Sequence, residues 1–455
     1  MTILLRRIIF ITFVVVYFVT TTAVLLYGSG YTFGVFDGVF TKTGILFVKT
    51  EPKDATIFVN NIIRGNKTPR RIPHLKPGLY QIRIEYKGYS PWEKTLEIKA
   101  GETTFVTDVV LWKKTLPSLV YSSDVPFELL ADNDNALLAH ATSSTFEIVS
   151  LATDDETPHT WYRSSRTQPF ERTIILSPDK QRGLVTTYNL ETQSLDATII
   201  PFSDSEKQIA VADYFPPTTT KKIVWHNNTG WLLFIEDAQQ RIWRFNVLDH
   251  SLKYLADGTL LGVDEPHLYL LKPHPETDKH RMVLVSFNMT TEREQIIIEF
   301  GEQETIEYVA SQKYLSLLKN TRAQNMMLFN VKEEHLSALP LQDTVTLVTS
   351  PDSRVYAYHT PHELWITAYD KENVLLWRTS ETIRDVSFIG KNNYLIVRTD
   401  EKMRIVELDV RDEVNMIDMP FPSQTSKPLI NDNGDELFVS SVLGTQKGIF
   451  RLELR

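Results

Sequence analysis

The 455-residue sequence contains no cysteine, which excludes disulfides and thiolate metal sites together. A chain without cross-links is held by its buried core alone, and some 340 residues in one β-rich region are enough to build one. The same absence argues against a eukaryotic ectodomain and for a prokaryotic envelope. The sequons at Asn66, Asn227 and Asn288 are then irrelevant. Catalytic signatures are missing as well: there is no Gly-x-Ser-x-Gly elbow, no His-Glu-x-x-His pair, no Walker loop and no dinucleotide fingerprint. Catalytic residues, metal ligands and cofactors are therefore all read as none.

Charge is missing from one stretch only. Ile8 to Tyr27 runs for 20 residues without an ionisable acid or base, long enough to cross a hydrocarbon core as a helix. Arg6 and Arg7 precede it, and the stretch that follows to Thr41 holds Asp37 and no base. The positive-inside tendency then keeps residues 1–7 in the cytoplasm, makes 8–27 a signal anchor and puts the bulk of the chain outside. A cleaved signal peptide, with Gly28-Ser29-Gly30 as its processing site, is the competing reading. Residues 28–43 form a juxtamembrane linker whose Tyr31, Phe33, Phe36 and Phe40 suit the lipid–water boundary.

From residue 119 to 455 two short strands recur behind a polar turn roughly every 43 residues, a period that means stacked modules. The first strand of each pair is read at 136–142, 182–188, 230–237, 267–273, 314–320, 354–360, 394–400 and 436–442. Two further strands lie between successive pairs, as in Val374 to Trp377 and Asp385 to Ile389, so the unit has four strands. The eighth unit stops after its second strand, and Leu119 to Ser122 with Phe127 to Leu130 are expected to complete it. Such sewing leaves no free sheet edge. The expected fold is mainly β, an eight-bladed β-propeller with seven blades as the fallback.

Ser177-Pro178-Asp179 and Ser350-Pro351-Asp352 precede strands of two units, with Ala131-Asp132-Asn133-Asp134 and Asn431-Asp432-Asn433-Gly434 in the equivalent place. These turns resemble those of the WD-repeat-like propellers of TolB proteins and of prolyl peptidases. The likeness implies a fold and no function. The peptidases need a hydrolase domain, and no such segment follows the repeats here.

Residues 44–113 carry a second resemblance. Gly44-Ile45-Leu46-Phe47-Val48, Ala55-Thr56-Ile57-Phe58-Val59-Asn60, Thr68-Pro69, Pro77-Gly78, Tyr80-Gln81-Ile82-Arg83-Ile84, Gly88-Tyr89, Trp92 and Ala100-Gly101 follow one another in the order of the PEGA domain, a small β-sandwich-like module of prokaryotic surface proteins. Asn60-Asn61 replaces the family's glycine-containing turn, and asparagine tolerates the left-handed conformation that turn needs.

Net charge is −9, but its sign changes along the chain: residues 42–114 hold 14 basic against 7 acidic side chains, and residues 115–455 hold 32 against 49. Arg64, Lys67, Arg70 and Arg71, with His74 and Lys76 beyond them, bunch in what reads as a connection between two strands. They are the candidate anion- or surface-binding residues, since guanidinium pairs grip phosphate or carboxylate. Nucleic acid fits poorly with an acidic larger region outside the cytoplasm. His359 and His362 lack a third ligand nearby, and the acidic turns at 132–135 and 432–435 have tight-turn chemistry without the spacing of a calcium loop. Tryptophans 225, 231, 243, 365 and 377 fall on strands, where aromatics fill the space between sheets.

The sequence thus reads as a single-pass envelope protein. Its PEGA domain and propeller act as a noncatalytic scaffold or receptor for another envelope protein or a cell-wall polymer. The alternative is a glycan hydrolase or lyase with its site in the propeller channel.

Overall fold

The computed structural model describes residues 3–455 except 34–39, 125, 133–134, 142–144, 153–158, 166–169, 193, 204–206, 216–219, 276–280, 313, 341–345, 352–353, 369–371, 391–392, 423 and 432. Asp352, Asn133, Asp134, Asp432 and Phe36, which the sequence reading used, lie outside the described residues. The chain is mainly β with one N-terminal apolar helix, and it divides into two compact units.

The first unit comprises Met1–Leu116, Asp409–Ile417 and Glu453–Arg455. Helix α1 (Ile3–Gly28) is followed by a two-stranded hairpin, β1 (Tyr31–Phe33) against β2 (Phe40–Lys42). Next come β3 (Gly44–Glu51), β4 (Thr56–Val59), β5 (Ile62–Gly65), β6 (Arg70–Leu75), β7 (Gly78–Glu85), β8 (Trp92–Ile98) and β9 (Thr103–Val110). They form two sheets, in the orders β6-β3-β9 and β5-β4-β7-β8. In the first, β3 and β9 are parallel. Alternation along β8 buries Trp92, Lys94, Leu96 and Ile98 and exposes the residues between them.

Leu46, Val48, Ile72 and Val106 from one sheet share a single apolar cluster with Ile57, Ile82, Ile84 and Trp92 from the other. Two sheets closed on one core make a sandwich. The asparagine turn forms as expected, with φ of 50° at Asn60 and 62° at Asn61, and Asn60 Oδ1 accepts the Gln81 amide at 2.9 Å.

The second unit, Pro117–Leu408 with Asp418–Leu452, contains eight four-stranded antiparallel sheets among the described residues. Seven are simple meanders, for example Thr220–Trp225, Leu232–Asp237, Arg241–Asn246 and Leu252–Asp257 in the third. The eight apolar runs read from the sequence fall on the second strand of each sheet. The eighth sheet runs Leu429–Ile430, Glu436–Leu443, Gln446–Glu453 and then β10 (Ser118–Ser122), a strand from the other end of the region.

Only one strand is lent in this way, which corrects the two-strand expectation. β11 (Glu128–Asp132) pairs with Asn135–Ala141 and starts the first sheet. The segment is a strand as expected, but it pairs with the strand that follows it in sequence and not with the eighth sheet. Apolar clusters join neighbouring sheets. Phe127, Leu129 and Val149 of the first pack with Phe438 and Ile449 of the eighth, and Leu184 and Ile199 of the second pack with Ile223 and Leu233 of the third.

Candidate functional site

The four basic residues singled out in the sequence are exposed, but they do not form a loop. Arg64 lies in β5 and Arg70 and Arg71 open β6, each the edge strand of its sheet, while Lys67 alone occupies the turn between them. The two edges meet closely, since a Cβ on Gly65 would stand 3.3 Å from Arg70 Cγ. β6 is fixed by pairing Val48 with Arg70 and Phe47 with Arg71. Ile62 and Ile63 are exposed beside Arg64, so the edge is both apolar and basic. Lys67 lies 3.8 Å from Asp54, with side chains 77% and 60% exposed. A pair that open to water holds neither partner firmly. The arrangement leaves the four cations exposed along the paired edges and the turn between them.

A second cationic feature escaped the sequence reading. Lys94 occupies a core position of β8 and is 1% exposed. Its Nζ donates to the carbonyls of Asp409 at 2.5 Å and Glu413 at 3.1 Å. The Thr95 amide donates to Asp412 Oδ2 at 2.5 Å and Arg411 Nη1 to the Phe105 carbonyl at 2.7 Å. Residues 409–417 are thus a strap over β8 and β9, some 315 positions distant in sequence. Within the strap, Arg411 grips Asp409. Burial alone would raise the Asp409 carboxyl; hydrogen bonds from Arg411 override that and hold it below the usual value. The only sequence signal was a lysine in the apolar phase of Trp92-Glu93-Lys94-Thr95-Leu96.

In the second unit Lys222 is a desolvated amine. Burial lowers its pKa to about 8, against the pull of Glu236. Nζ donates to the Leu260 carbonyl at 2.8 Å and stands 3.9 Å from the Tyr308 ring centroid. Those two contacts span the third, fourth and fifth sheets and favour the charged form. The amine is a strut in this arrangement, already occupied on both sides.

His226 has a hydroxyl beside one ring nitrogen and a carboxylate beside the other. Thr229 Oγ1 and the Asn228 amide both lie 3.2 Å from Nδ1, and Nε2 lies 3.3 Å from Glu265. In the second sheet Ser177 holds the equivalent turn, its Oγ accepting the Arg182 amide at 3.0 Å. The imidazole does the turn-holding work of that serine, which is a structural role.

His359 Nδ1 lies 3.1 Å from the Thr360 carbonyl and His362 Nδ1 lies 3.3 Å from the Glu381 carbonyl. Among the described residues no group of three or more His, Asp or Glu side chains is placed to hold a metal ion. The tryptophans divide. Trp225 is buried and donates to the Ile175 carbonyl at 3.1 Å, Trp243 donates to Asp237 at 3.2 Å and Trp365 to Glu363 at 3.0 Å, while Trp231 is exposed.

Residues 43–111 match the model of the PEGA domain family. No curated protein matches the chain. Solved structures similar to it include the Cps50 (Swd1) β-propeller domain of Myceliophteria thermophila, at 10% identity and a TM-score of 0.42 over 74% of this chain and 100% of that one. Saccharomyces cerevisiae Sqt1 is similar at 9% identity and 0.43, over 74% and 99%. Oligogalacturonate lyase from Vibrio parahaemolyticus is similar at 7% and 0.40, over 74% and 98%. At these identities no binding or catalytic property passes to this chain.

Proposed function

We propose that this chain, a PEGA domain joined to a propeller of eight four-stranded blades, is a noncatalytic single-pass protein of the cell envelope. It works as a scaffold or receptor for envelope proteins or anionic wall polymer. One observation carries the reading: Arg6–Gly28 is a helix of mean hydropathy 2.5 with no part of its most apolar window buried by protein. A helix apolar on every side needs a covering, and a bilayer supplies one. The N-terminus then lies in the cytoplasm, with Arg6 and Arg7 at the inner surface. The pairing of β10 into the last sheet and the cluster shared by the first and eighth sheets support closure of the blades into a ring. The apolar and basic edge formed by Arg64, Arg70 and Arg71 supports recognition of an anionic polymer.

The full chain should resist alkaline carbonate extraction, and protease added to spheroplasts should digest it beyond the helix. A soluble product beginning after Gly28 would establish a cleaved signal instead. Changing Arg64, Lys67, Arg70 and Arg71 together to Gln should weaken co-sedimentation with anionic wall polymer. Unchanged co-sedimentation would remove the polymer from the proposal.

A further inference from the structure

Three connections of the first unit converge where α1 ends. Thr43, leading into β3, donates its amide to the Gly30 carbonyl at 2.8 Å, two residues past the helix. Gly101, in the β8–β9 turn, donates to the Thr43 carbonyl at 2.9 Å, and Ile45 donates to the Glu102 carbonyl at 3.0 Å. Gly44 pairs with Leu75 at the end of β6. Gly44 has no room for a side chain, since a Cβ there would lie 2.4 Å from the Lys99 carbonyl. The ring of His74 stacks on Tyr27 at 4.4 Å. Among the described residues, the end of the helix is therefore tied to the sandwich by these contacts.

This convergence gathers exposed cations that lie far apart in sequence: Lys42 from β2, Lys76 from the β6–β7 turn and Lys99 from the β8–β9 turn. Lys42 lies over Gly101, whose added Cβ would meet its Nζ at 2.5 Å. Glu102 is the one acid in the β2–β3, β6–β7 and β8–β9 connections; Asp37, between β1 and β2, lies outside the described residues. Beside them the hairpin exposes Phe33 and Phe40, 53% and 51%, with ring centroids 5.0 Å apart, and Tyr27 is 60% exposed. Arg70 sits four residues from His74 along β6, roughly 13 Å at the usual strand rise, and so beyond about one Debye length from the helix end.

We propose that Lys42, Lys76 and Lys99 form a cationic collar that docks the first unit on the anionic lipid headgroups around its own helix. Tyr27, Phe33 and Phe40 are seated at the lipid–water boundary. Continuity with the apolar helix and the local excess of positive charge select lipid as the occupant. The proposal rests on the anchor reading and assigns a lipid role to residues distinct from the polymer-binding edge. Each lysine near a charged bilayer strengthens attachment by about fivefold.

Because the chain lacks cysteine, single labels are clean. The full chain carrying Ala100→Cys with an environment-sensitive dye is inserted in nanodiscs of phosphatidylglycerol or of phosphatidylcholine, each containing headgroup spin-labelled lipid. Quenching should be strong in the anionic discs and weak in the zwitterionic ones. It should fall on adding salt, and it should fall to the zwitterionic level in Lys42→Gln/Lys76→Gln/Lys99→Gln. A label at Lys67→Cys should stay unquenched throughout. Equal quenching of the two labels, or indifference of the Ala100→Cys label to lipid charge, overturns the collar. So does a dye response of the same size to soluble polyglutamate with phosphatidylcholine discs, which would make the lysines a polymer site. A chain that starts after Gly28 and fails to enter discs defeats the anchor reading, and is recognised separately by N-terminal sequencing.

Discussion

Lys94 and Lys222 are both lysines in places where lysine is expensive, and their chemistry differs. The Lys94 ammonium caps two backbone carbonyls of the 409–417 strap. Lys94→Met keeps most of the packing and leaves those carbonyls without that donor, at about 1–3 kcal/mol. Urea unfolding of the full chain should show that loss, with Lys94→Arg intermediate. Lys222 has a folded pKa of about 8, below its ordinary 10.5, because burial disfavours the charge. Between those values the unfolded chain binds more protons, so stability rises with pH, by about 1.4 kcal/mol per unit at most. Below pH 8 the penalty is present in full. Urea midpoints at pH 7 to 10 should climb in the parent and stay flat in Lys222→Met. Equal slopes would mean that Lys222 is solvated. Neither lysine's role was legible in the sequence, where each is one base among 48. Partners between 38 and 319 positions away leave no mark on local pattern.

At the scale of elements, the sheet that takes in β10 depends on a close approach. Gly448 has φ of 146°, and a Cβ there would lie 1.9 Å from the Tyr121 carbonyl oxygen of β10. Gly448→Ala should push β10 off the sheet and cost roughly 2–4 kcal/mol. Gly444→Ala, with φ of 60° and open space around it, should cost only about 1–2 kcal/mol. Comparable melting temperatures would show that β10 contributes little to the eighth sheet. Second strands were legible where they are buried on both faces and read as short apolar runs, as in Leu232–Asp237. The assignment of β11 was not, because alternation says that a segment is a strand and leaves its neighbour unspecified. Arg70 and Arg71 read as loop for a related reason. An edge strand exposes successive residues, so the period of two that marks a half-buried strand fails there.

At the scale of the whole chain, the first unit is discontinuous. Lys113 donates its amide to the Leu454 carbonyl at 3.0 Å and pairs with Glu453 at 2.9 Å, and Arg455 lies 5.6 Å from the Trp112 ring centroid. Two segments that follow residue 116 in sequence are therefore built into it. An engineered protease site between Leu116 and Pro117 should give a nicked protein that stays together on gel filtration in detergent and separates only in denaturant. Separation under native conditions would show that the strap and the final residues contribute little. The PEGA resemblance was legible from motif order alone, whereas the strap, which belongs to no such motif, was not.

That discontinuity sets an order of events in time. A chain made and exported from its N-terminus usually folds its first domain first. Here the module nearest the helix waits for Asp409–Ile417 and then for Glu453–Arg455 before it is whole. The module around β8 is complete only after segments that follow the propeller strands have been made, and until then the Asp409 and Glu413 carbonyls are not yet in reach of Lys94.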